Sequence, residues 1–102
     1  MTWVAVGPTD AVAEGEAAVF EVEGRQVAVC HSADGFYAID DVCTHDGGSL
    51  DQGRLEGNRI ECPRHGALFD ITTGRAVTLP AVRPVRSYPA RVSNGAIEVE
   101  VP

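Results

Sequence analysis

The sequence predicts an all-β fold, a small antiparallel sandwich or barrel, from three observations. Short runs of alternating apolar and polar residues recur along the chain. Turn signals separate these runs at intervals of roughly 8–12 residues, as in small sandwiches and barrels. No window of useful length shows the 3.6-residue period of an amphipathic helix. The clearest turn signal is Asn94-Gly95, between residues 88–92 and 96–101, because both residue types tolerate positive φ.

Five further runs read as strands. A hairpin is predicted from residues 19–22 and 26–30, turned at Glu23-Gly24. The Asp34-Gly35 turn leads into another strand, residues 36–39. Two short strands follow in the second half of the chain, at residues 59–61 and 67–71.

One stretch, residues 40–58, breaks this rhythm, with four glycines and few apolar residues. A loop of this length inside a compact domain is often functional. A second turn-like stretch, residues 62–66, follows the strand at 59–61. These two stretches contain two of the three cysteines and two of the three histidines, so the chemistry is expected here.

Length and charge exclude several classes of function. The chain has 102 residues, enough for one domain with one core, and its formal net charge is −7. Residues 1–56 carry a net charge of −9 and residues 57–102 a net charge of +2. An acidic chain repels phosphate, so binding to nucleic acid or to anionic membranes is not expected, and a partner with a basic face is favoured.

The N-terminal stretch has no basic region of the kind that begins a signal peptide, and no apolar run approaches the length of a bilayer crossing. A cytoplasmic protein is therefore expected. Three cysteines without an export signal also argue against a disulfide framework.

The candidate metal ligands are Cys43, His45, Cys62 and His65, in the pattern C-x-H-x16-C-x2-H. Each of the two loops offers one thiolate and one imidazole, so the loops can close on one inorganic centre from opposite sides. Glycines are expected where the backbone comes close to that centre: Gly47, Gly48 and Gly66.

Several centres could use such ligands. Zinc accepts two cysteines and two histidines, but zinc sites usually pair like ligands in C-x2-C and H-x3-5-H spacings. Mixed pairing in both loops favours a two-iron cluster with thiolates on one iron and imidazoles on the other. A nucleophilic Cys–His pair would leave the other pair unexplained. A mononuclear iron oxygenase site needs two histidines and a carboxylate, and only His31 remains for it.

The segments Cys43-Thr44-His45 and 62–66 (CPRHG) resemble the two cluster-binding boxes of the Rieske [2Fe–2S] family. The similarity continues through Phe69-Asp70 and Thr73-Gly74 to Pro80, and so spans about residues 40–84. The resemblance implies one Rieske domain over residues 1–102, with stacked antiparallel sheets and a small cluster-binding lobe at about 40–84.

The same resemblance implies roles for individual residues. Cys43 and Cys62 would bind the buried iron of one [2Fe–2S] cluster. His45 and His65 would bind the outer iron near solvent, and Pro80 would lie in a third loop that shields the cluster.

Departures from the respiratory-complex branch of the family narrow the function. Gly48 and Arg64 stand where that branch has two cysteines joined by a disulfide. Ala67 and Phe69 stand where it has a serine and a tyrosine that donate hydrogen bonds to sulfur. Without these donors the midpoint potential is expected towards roughly −150 mV rather than +300 mV.

These features resemble the stand-alone ferredoxins of aromatic-ring dioxygenase systems. The resemblance implies a monomeric one-electron carrier, itself without catalytic residues, between a flavin-dependent ferredoxin reductase and a terminal oxygenase. Docking would use the exposed edge around His45 and His65. Three alternatives stay open: a small subunit of a nitrite reductase, an accessory redox protein in iron–sulfur assembly, and a structural zinc-binding module.

Individual residues outside the ligand set carry plainer expectations. Cys30 is expected to be a small buried residue at a strand end, and His31 a solvated one. Trp3 is expected to pack, and Asp46 to be a solvated loop residue.

Overall fold

The computed structural model describes residues 1–44, 47–63, 66–79 and 83–102. Within these ranges the chain forms ten strands and a 3-10 turn at Thr9–Ala11, with no α-helix. The strands are β1 (Thr2–Pro8), β2 (Ala17–Val22), β3 (Arg25–Ser32), β4 (Gly35–Asp40), β5 (Leu55–Glu56), β6 (Arg59–Glu61), β7 (Leu68–Asp70), β8 (Ser87–Tyr88), β9 (Ala90–Ser93) and β10 (Ala96–Val101). The all-β prediction is confirmed.

The strands form three antiparallel sheets, in the orders β1-β10-β9, β2-β3-β4-β8 and β5-β6-β7. The third sheet lies wholly within the predicted cluster-binding lobe. The stacked sheets with a small lobe, implied by the family resemblance, are therefore present.

Strand β3 explains how the sheets stack. Four consecutive residues of this strand are fully buried, so both of its faces are covered. Val27 and Val29 point into one core, and Ala28 and Cys30 into another, because successive side chains of a strand alternate between its faces. The four-stranded sheet is consequently the middle layer.

Each face of this middle layer has its own apolar core. The first core is shared with the three-stranded sheet of β1, β9 and β10, and consists of Val12, Val22, Val27, Val29, Ala38, Tyr88, Ile97, Val99 and Val101. The second is shared with the lobe, and consists of Ala28, Cys30, Ile39, Cys43, Leu50, Ile60, Cys62, Ala67, Phe69, Ile71 and Val85. The second core contains two of the candidate ligands.

Two predicted hairpins are confirmed at their turns. Glu23 and Gly24 have φ values of 51° and 79°, and Asn94 and Gly95 have 52° and 77°. Two successive residues with positive φ match the twist of the flanking strands, which is why two-residue hairpins favour such turns.

The predicted strand at residues 88–92 is wrong in one respect, because it divides at Pro89. Tyr88 pairs with Ala38 in the four-stranded sheet, whereas Ala90 pairs with Val99 in the three-stranded one. Proline has no amide hydrogen to donate to a ladder, so the chain changes sheets here. The Pro89 carbonyl still accepts a hydrogen bond from the amide of Glu100, at 2.9 Å.

The structure also contains strands that local patterns did not predict. Leu55–Glu56 forms a strand inside the predicted loop at residues 40–58, where it pairs with β6. β1 pairs with β10, at the other end of the chain. Among the described residues, no helix is long and apolar enough to span a bilayer.

Candidate metal centre

Cys43 and Cys62 meet in the core between the middle sheet and the lobe. Cys43 lies three residues after the end of β4, and Cys62 directly follows β6. Both side chains are fully buried, and both belong to the same apolar cluster. Neither cysteine is in a disulfide. The fold thus brings together two residues that are 19 positions apart in the sequence.

The loop at Cys43 is closed by two backbone hydrogen bonds. The amide of Cys43 donates to the carbonyl of Gly48, at 2.7 Å. The amide of Gly47 donates back to the carbonyl of Cys43, also at 2.7 Å. The cysteine is therefore held at the start of a tight loop.

The loop at Cys62 repeats the same two bonds at the same offsets. The amide of Cys62 donates to the carbonyl of Ala67, at 2.7 Å, and the amide of Gly66 donates to the carbonyl of Cys62, at 3.0 Å. The two loops are thus a matched pair, although the histidine follows the cysteine by two positions in one loop and by three in the other.

Gly47 and Gly66 occupy equivalent positions in this pair, and each has a φ of 75°. Apart from the chain neighbours of each glycine, no atom of the described residues lies within 4 Å of the place where its Cβ would stand. Left-handed backbone, which glycine adopts without steric cost, accounts for both glycines. Crowding by other described residues does not account for them.

The predicted ligands His45 and His65 lie outside the described residues, as do Asp46 and Pro80. The described residues on either side of positions 80–82 make hydrogen bonds to other parts of the lobe. The Thr78 hydroxyl accepts a hydrogen bond from the amide of Leu68, at 3.0 Å. The Thr44 hydroxyl donates to the carbonyl of Arg83, at 2.7 Å. The loop of Cys43 therefore contacts the segment that follows Pro80.

Cys30 is fully buried in the same core, as expected for a small packed residue, but lies inside β3 rather than at its end. Burial raises the pKa of the Cys30 thiol to about 12, and the negative charge of Asp41 adds to the effect. At neutral pH this thiol stays protonated, whereas metal ligation requires a thiolate.

The expectation of a solvated His31 is wrong. Its side chain is half-buried and lies against Phe36, with ring centroids 4.1 Å apart. The ring Nδ1 lies 2.8 Å from the carbonyl oxygen of Val12, which anchors the segment between β1 and β2. His31 is thus a structural residue of the first core.

Trp3 packs as expected. Its ring is half-buried, and the guanidinium carbon of Arg91 lies 3.9 Å from the ring centroid. Arg91 Nε also donates to Glu98 Oε1, at 2.7 Å, so all three side chains lie together on one sheet.

Asp41 is a site residue that the sequence reasoning missed. Its Oδ1 accepts hydrogen bonds from the amides of Leu50 and Asp51, at 2.8 Å and 2.7 Å. Burial, together with the neighbouring Asp51 carboxyl, raises the pKa of Asp41. The signal available in the sequence was an aspartate at the start of a long loop, where carboxylates commonly cap turns.

The donor chemistry fits an iron–sulfur centre. Burial of a thiolate in an apolar core is costly, and a metal that binds the sulfur offsets that cost. Two cysteines held in matched loops at the same buried place suit a shared centre. Ala67 and Phe69, the two positions that lack hydroxyls, are also fully buried beside them.

Comparisons with known proteins bear on this centre. The Rieske [2Fe-2S] domain family matches residues 2–89 of the chain. The ferredoxin component of naphthalene 1,2-dioxygenase/salicylate 5-hydroxylase systems from a Ralstonia species is 34% identical over 92 residues, which are 90% of this chain and 88% of that protein.

Two solved structures are similar over nearly the whole chain. The ferredoxin of carbazole 1,9a-dioxygenase from Nocardioides aromaticivorans IC177 has a TM-score of 0.92 and 38% identity, covering 97% of each chain. A complex of reduced oxygenase and oxidized ferredoxin in carbazole 1,9a-dioxygenase contains a chain with a TM-score of 0.88 and 34% identity, covering 95% of this chain and 91% of that one. With buried cysteines in paired loops and a family match over most of its length, the chain belongs to the Rieske [2Fe–2S] family.

Proposed function

We propose that the protein holds one [2Fe–2S] cluster with Cys43, His45, Cys62 and His65. The two cysteines would bind one iron and the two histidines the other, as in Rieske centres. The observation that carries this proposal is the matched pair of cysteine loops with both side chains buried in one core.

We propose further that the protein is a ferredoxin, an electron carrier and not itself an enzyme. It would take one electron from a flavin-dependent ferredoxin reductase and pass it to a terminal oxygenase. The cluster supplies the one-electron chemistry. The chain supplies a buried position for the cysteine sulfurs, exclusion of water on that side, and a surface on which partners dock.

The docking surface would be the edge around the two ligand loops. Three exposed residues support this. Val42, which is 38% exposed, and Pro63 adjoin the two cysteines in the sequence, and Leu79, which is 76% exposed, follows Thr78, whose hydroxyl accepts a hydrogen bond from the amide of Leu68. Apolar groups in the open are suited to the desolvated centre of a protein interface. Electron transfer also needs a short distance between the cluster and the partner, so the partner would make contact at this edge.

The remaining properties are proposals of the same kind. Residues 1–102 would act as one domain and as a monomer, with the lobe at about residues 40–84. The protein would work in the cytoplasm. Binding to nucleic acid or to a membrane is not proposed, since the net charge of −7 opposes both.

Spectroscopy of the purified protein tests the centre. We expect a reddish-brown protein that gives a rhombic electron-paramagnetic-resonance signal after reduction. The His65→Cys variant should shift that signal towards the all-cysteine type. A colourless protein containing zinc would contradict the proposal and favour the structural zinc module.

Reconstituted electron transfer tests the role. The protein is combined with the purified reductase and terminal oxygenase of an aromatic-ring dioxygenase, and product is measured with and without it. We expect product only when all three are present, and slower turnover with Leu79→Glu. A matched Val92→Glu variant, at another exposed apolar residue, should behave as the wild type. Failure with oxygenases, together with activity beside a nitrite reductase large subunit, would favour that alternative.

A further inference from the structure

A short turn, residues 50–54, lies between the two cysteine loops in the sequence and contacts the residues that precede each of them, Asp41 and Glu61. On the Cys43 side, the carboxylate of Asp41 accepts hydrogen bonds from the amides of Leu50 and Asp51, at 2.8 Å and 2.7 Å. The amide of Asp41 itself donates to the carbonyl of Gln26 in β3, at 3.0 Å. The carboxylate therefore ties the turn to the middle sheet two residues ahead of Cys43.

On the other side the turn contacts Glu61, the residue before Cys62. The amide of Glu61 donates to the carbonyl of Arg54, at 2.9 Å. At Gly53, a Cβ would lie 1.8 Å from the Glu61 carbonyl oxygen, so the backbones touch and no side chain fits. Gly53 does not have positive φ, and this close approach is the reason for a glycine here.

The side chain of Leu50 completes the connection. It is fully buried and belongs to the same apolar cluster as Cys43 and Cys62. The amide of Gly53 donates to the carbonyl of Leu50, at 2.8 Å, which closes the turn over that side chain. Movement of the turn would thus disturb both cysteine loops together.

A covalent connection between the loops is not available in this chain. Its third cysteine, Cys30, lies in β3, and positions 48 and 64 are glycine and arginine. A half-buried side-chain oxygen that accepts hydrogen bonds from two backbone amides makes a firm connection, because losing the acceptor leaves both amides without this partner.

We propose that Asp41 is a positioning residue, which through the turn at residues 50–54 holds the two cysteine loops at the separation that the cluster needs. Its role is to accept hydrogen bonds from two backbone amides. A neutral side chain with a carbonyl oxygen in the same place can therefore hold the turn in the same way. This inference rests on the proposed cluster site.

The test uses cluster-loaded protein and two variants of Asp41. Asp41→Ala removes both hydrogen bonds, whereas Asp41→Asn keeps an acceptor oxygen and removes the charge. Loss of the visible spectrum is followed in a ferrous-iron chelator well below the unfolding temperature. We expect Asp41→Ala to lose its cluster at least about tenfold faster than the wild type. A tenfold change in rate corresponds to about 1.4 kcal/mol, which is the scale of the hydrogen bonds that the substitution removes. We expect Asp41→Asn to stay close to the wild type.

Asp70→Ala is the matched control within the lobe. The Asp70 carboxylate also accepts hydrogen bonds from the amide and the hydroxyl of Thr72. These bonds are local, and they do not link the two cysteine loops. The reduced-state electron-paramagnetic-resonance spectrum should broaden or shift in Asp41→Ala and remain unchanged in Asp70→Ala. A general loss of stability would not discriminate between the two.

Hydrogen exchange on the wild-type protein keeps the test decisive if Asp41→Ala does not fold. In increasing sub-denaturing urea, the amides of Leu50 and Asp51 should begin to exchange in step with cluster loss. Cluster loss while these amides stay protected would overturn the inference, as would equal rates and spectra in Asp41→Ala and Asp70→Ala. A wild-type protein that binds no iron would overturn the proposed function as well.

Discussion

At the scale of single residues, Tyr88 shows how one side chain joins two sheets. It is 5% exposed, within the core between the two larger sheets, and it ends the short strand β8. Its hydroxyl donates to Oδ1 of Asp40, and the guanidinium carbon of Arg86 lies 5.5 Å from the ring centroid. Burial and then the hydrogen bond to Asp40 raise the pKa of Tyr88 above 10.0.

This shift predicts a pH dependence at the alkaline end. A pKa raised by folding means that the stabilisation is complete below pH 10 and is lost as pH rises through the folded-state pKa. We expect the wild type to have a higher Tm than Tyr88→Phe below pH 10, and this difference to shrink above it. Thermal unfolding of both proteins at several pH values measures the effect. A constant difference in Tm would show that the pKa of the Tyr88 hydroxyl is the same in the folded and unfolded states.

Ala67 predicts a second residue-scale effect, on the redox potential. It is fully buried and closes the Cys62 loop, at the position where the respiratory-complex branch of the family has a serine that donates to sulfur. Ala67→Ser should raise the midpoint potential by about 60 mV, for a hydrogen bond of about 1.4 kcal/mol that favours the reduced cluster. Potentiometric titration measures it, with Ala67→Gly as the control without a donor. An unchanged midpoint potential in Ala67→Ser, or a clearly positive midpoint potential in the wild type, would contradict the low-potential assignment.

At the scale of elements, two glycines in turns show two different physical requirements. Gly95 has a φ of 77° in the β9–β10 hairpin, and open space surrounds the position of a Cβ. Gly74 has a φ of 84°, and a Cβ there would lie 2.0 Å from the carbonyl oxygen of Val85. The amide of Val85 also donates to the carbonyl of Gly74, at 2.8 Å. The second glycine is thus needed for its conformation and for close contact.

The two glycines predict unequal costs for the same substitution. Gly95→Ala should lower the free energy of unfolding by about 1 kcal/mol, the cost of left-handed backbone with a side chain. Gly74→Ala should cost about 3 kcal/mol or more, since it adds a clash with backbone that cannot rotate away. Chemical denaturation of the two variants gives the comparison. Equal losses would mean that the segment at Val85 moves aside freely.

At the scale of the whole molecule, charge is distributed unevenly between the two halves of the chain. The net charge of −7 combines −9 in residues 1–56 with +2 in residues 57–102. Such a distribution attracts partners with a basic surface and orients them before contact. In the docking proposed above, exposed apolar residues beside the cysteines would then provide the short-range contact.

This charge predicts that electron transfer depends on ionic strength. The second-order rate constant with the reductase should fall by about tenfold or more between low salt and about 0.5 M salt, where the Debye length shortens to a few ångströms. Stopped-flow reduction of the cluster measures the rate, and an unchanged visible spectrum at each salt concentration serves as the control. A rate that is independent of salt, or that rises with it, would show that the partner does not present a basic face.

Local signals account for what could be predicted. The Glu23-Gly24 and Asn94-Gly95 turns are encoded by adjacent residues, so both hairpins were predictable. Cys43 and Cys62 were predictable as members of one ligand set from their spacing and the flanking glycines, and the family resemblance implied that these two are the buried pair. The described residues bring these cysteines together, while the histidine ligands remain a prediction.

Long-range contacts account for what could not be predicted. The pairing of β1 with β10 and the exchange of sheets at Pro89 depend on partners far away in the sequence. The half-buried position of His31 depends on Val12, 19 residues earlier. No local pattern carries this information, since a strand shows which of its residues are apolar but not which sheet covers them.

By itself, the sequence determined the all-β class, the two cysteine-bearing loops and the acidic charge, because turn chemistry, ligand spacing and composition act over a few residues. Only the tertiary structure decided that β3 is buried on both faces, that Cys43 and Cys62 share one buried core, and that the turn at residues 50–54 contacts Asp41 on one side and Glu61 on the other. Burial of β3 and the shared core exist only when the layers are stacked, since they depend on groups that meet through packing and not through proximity along the chain.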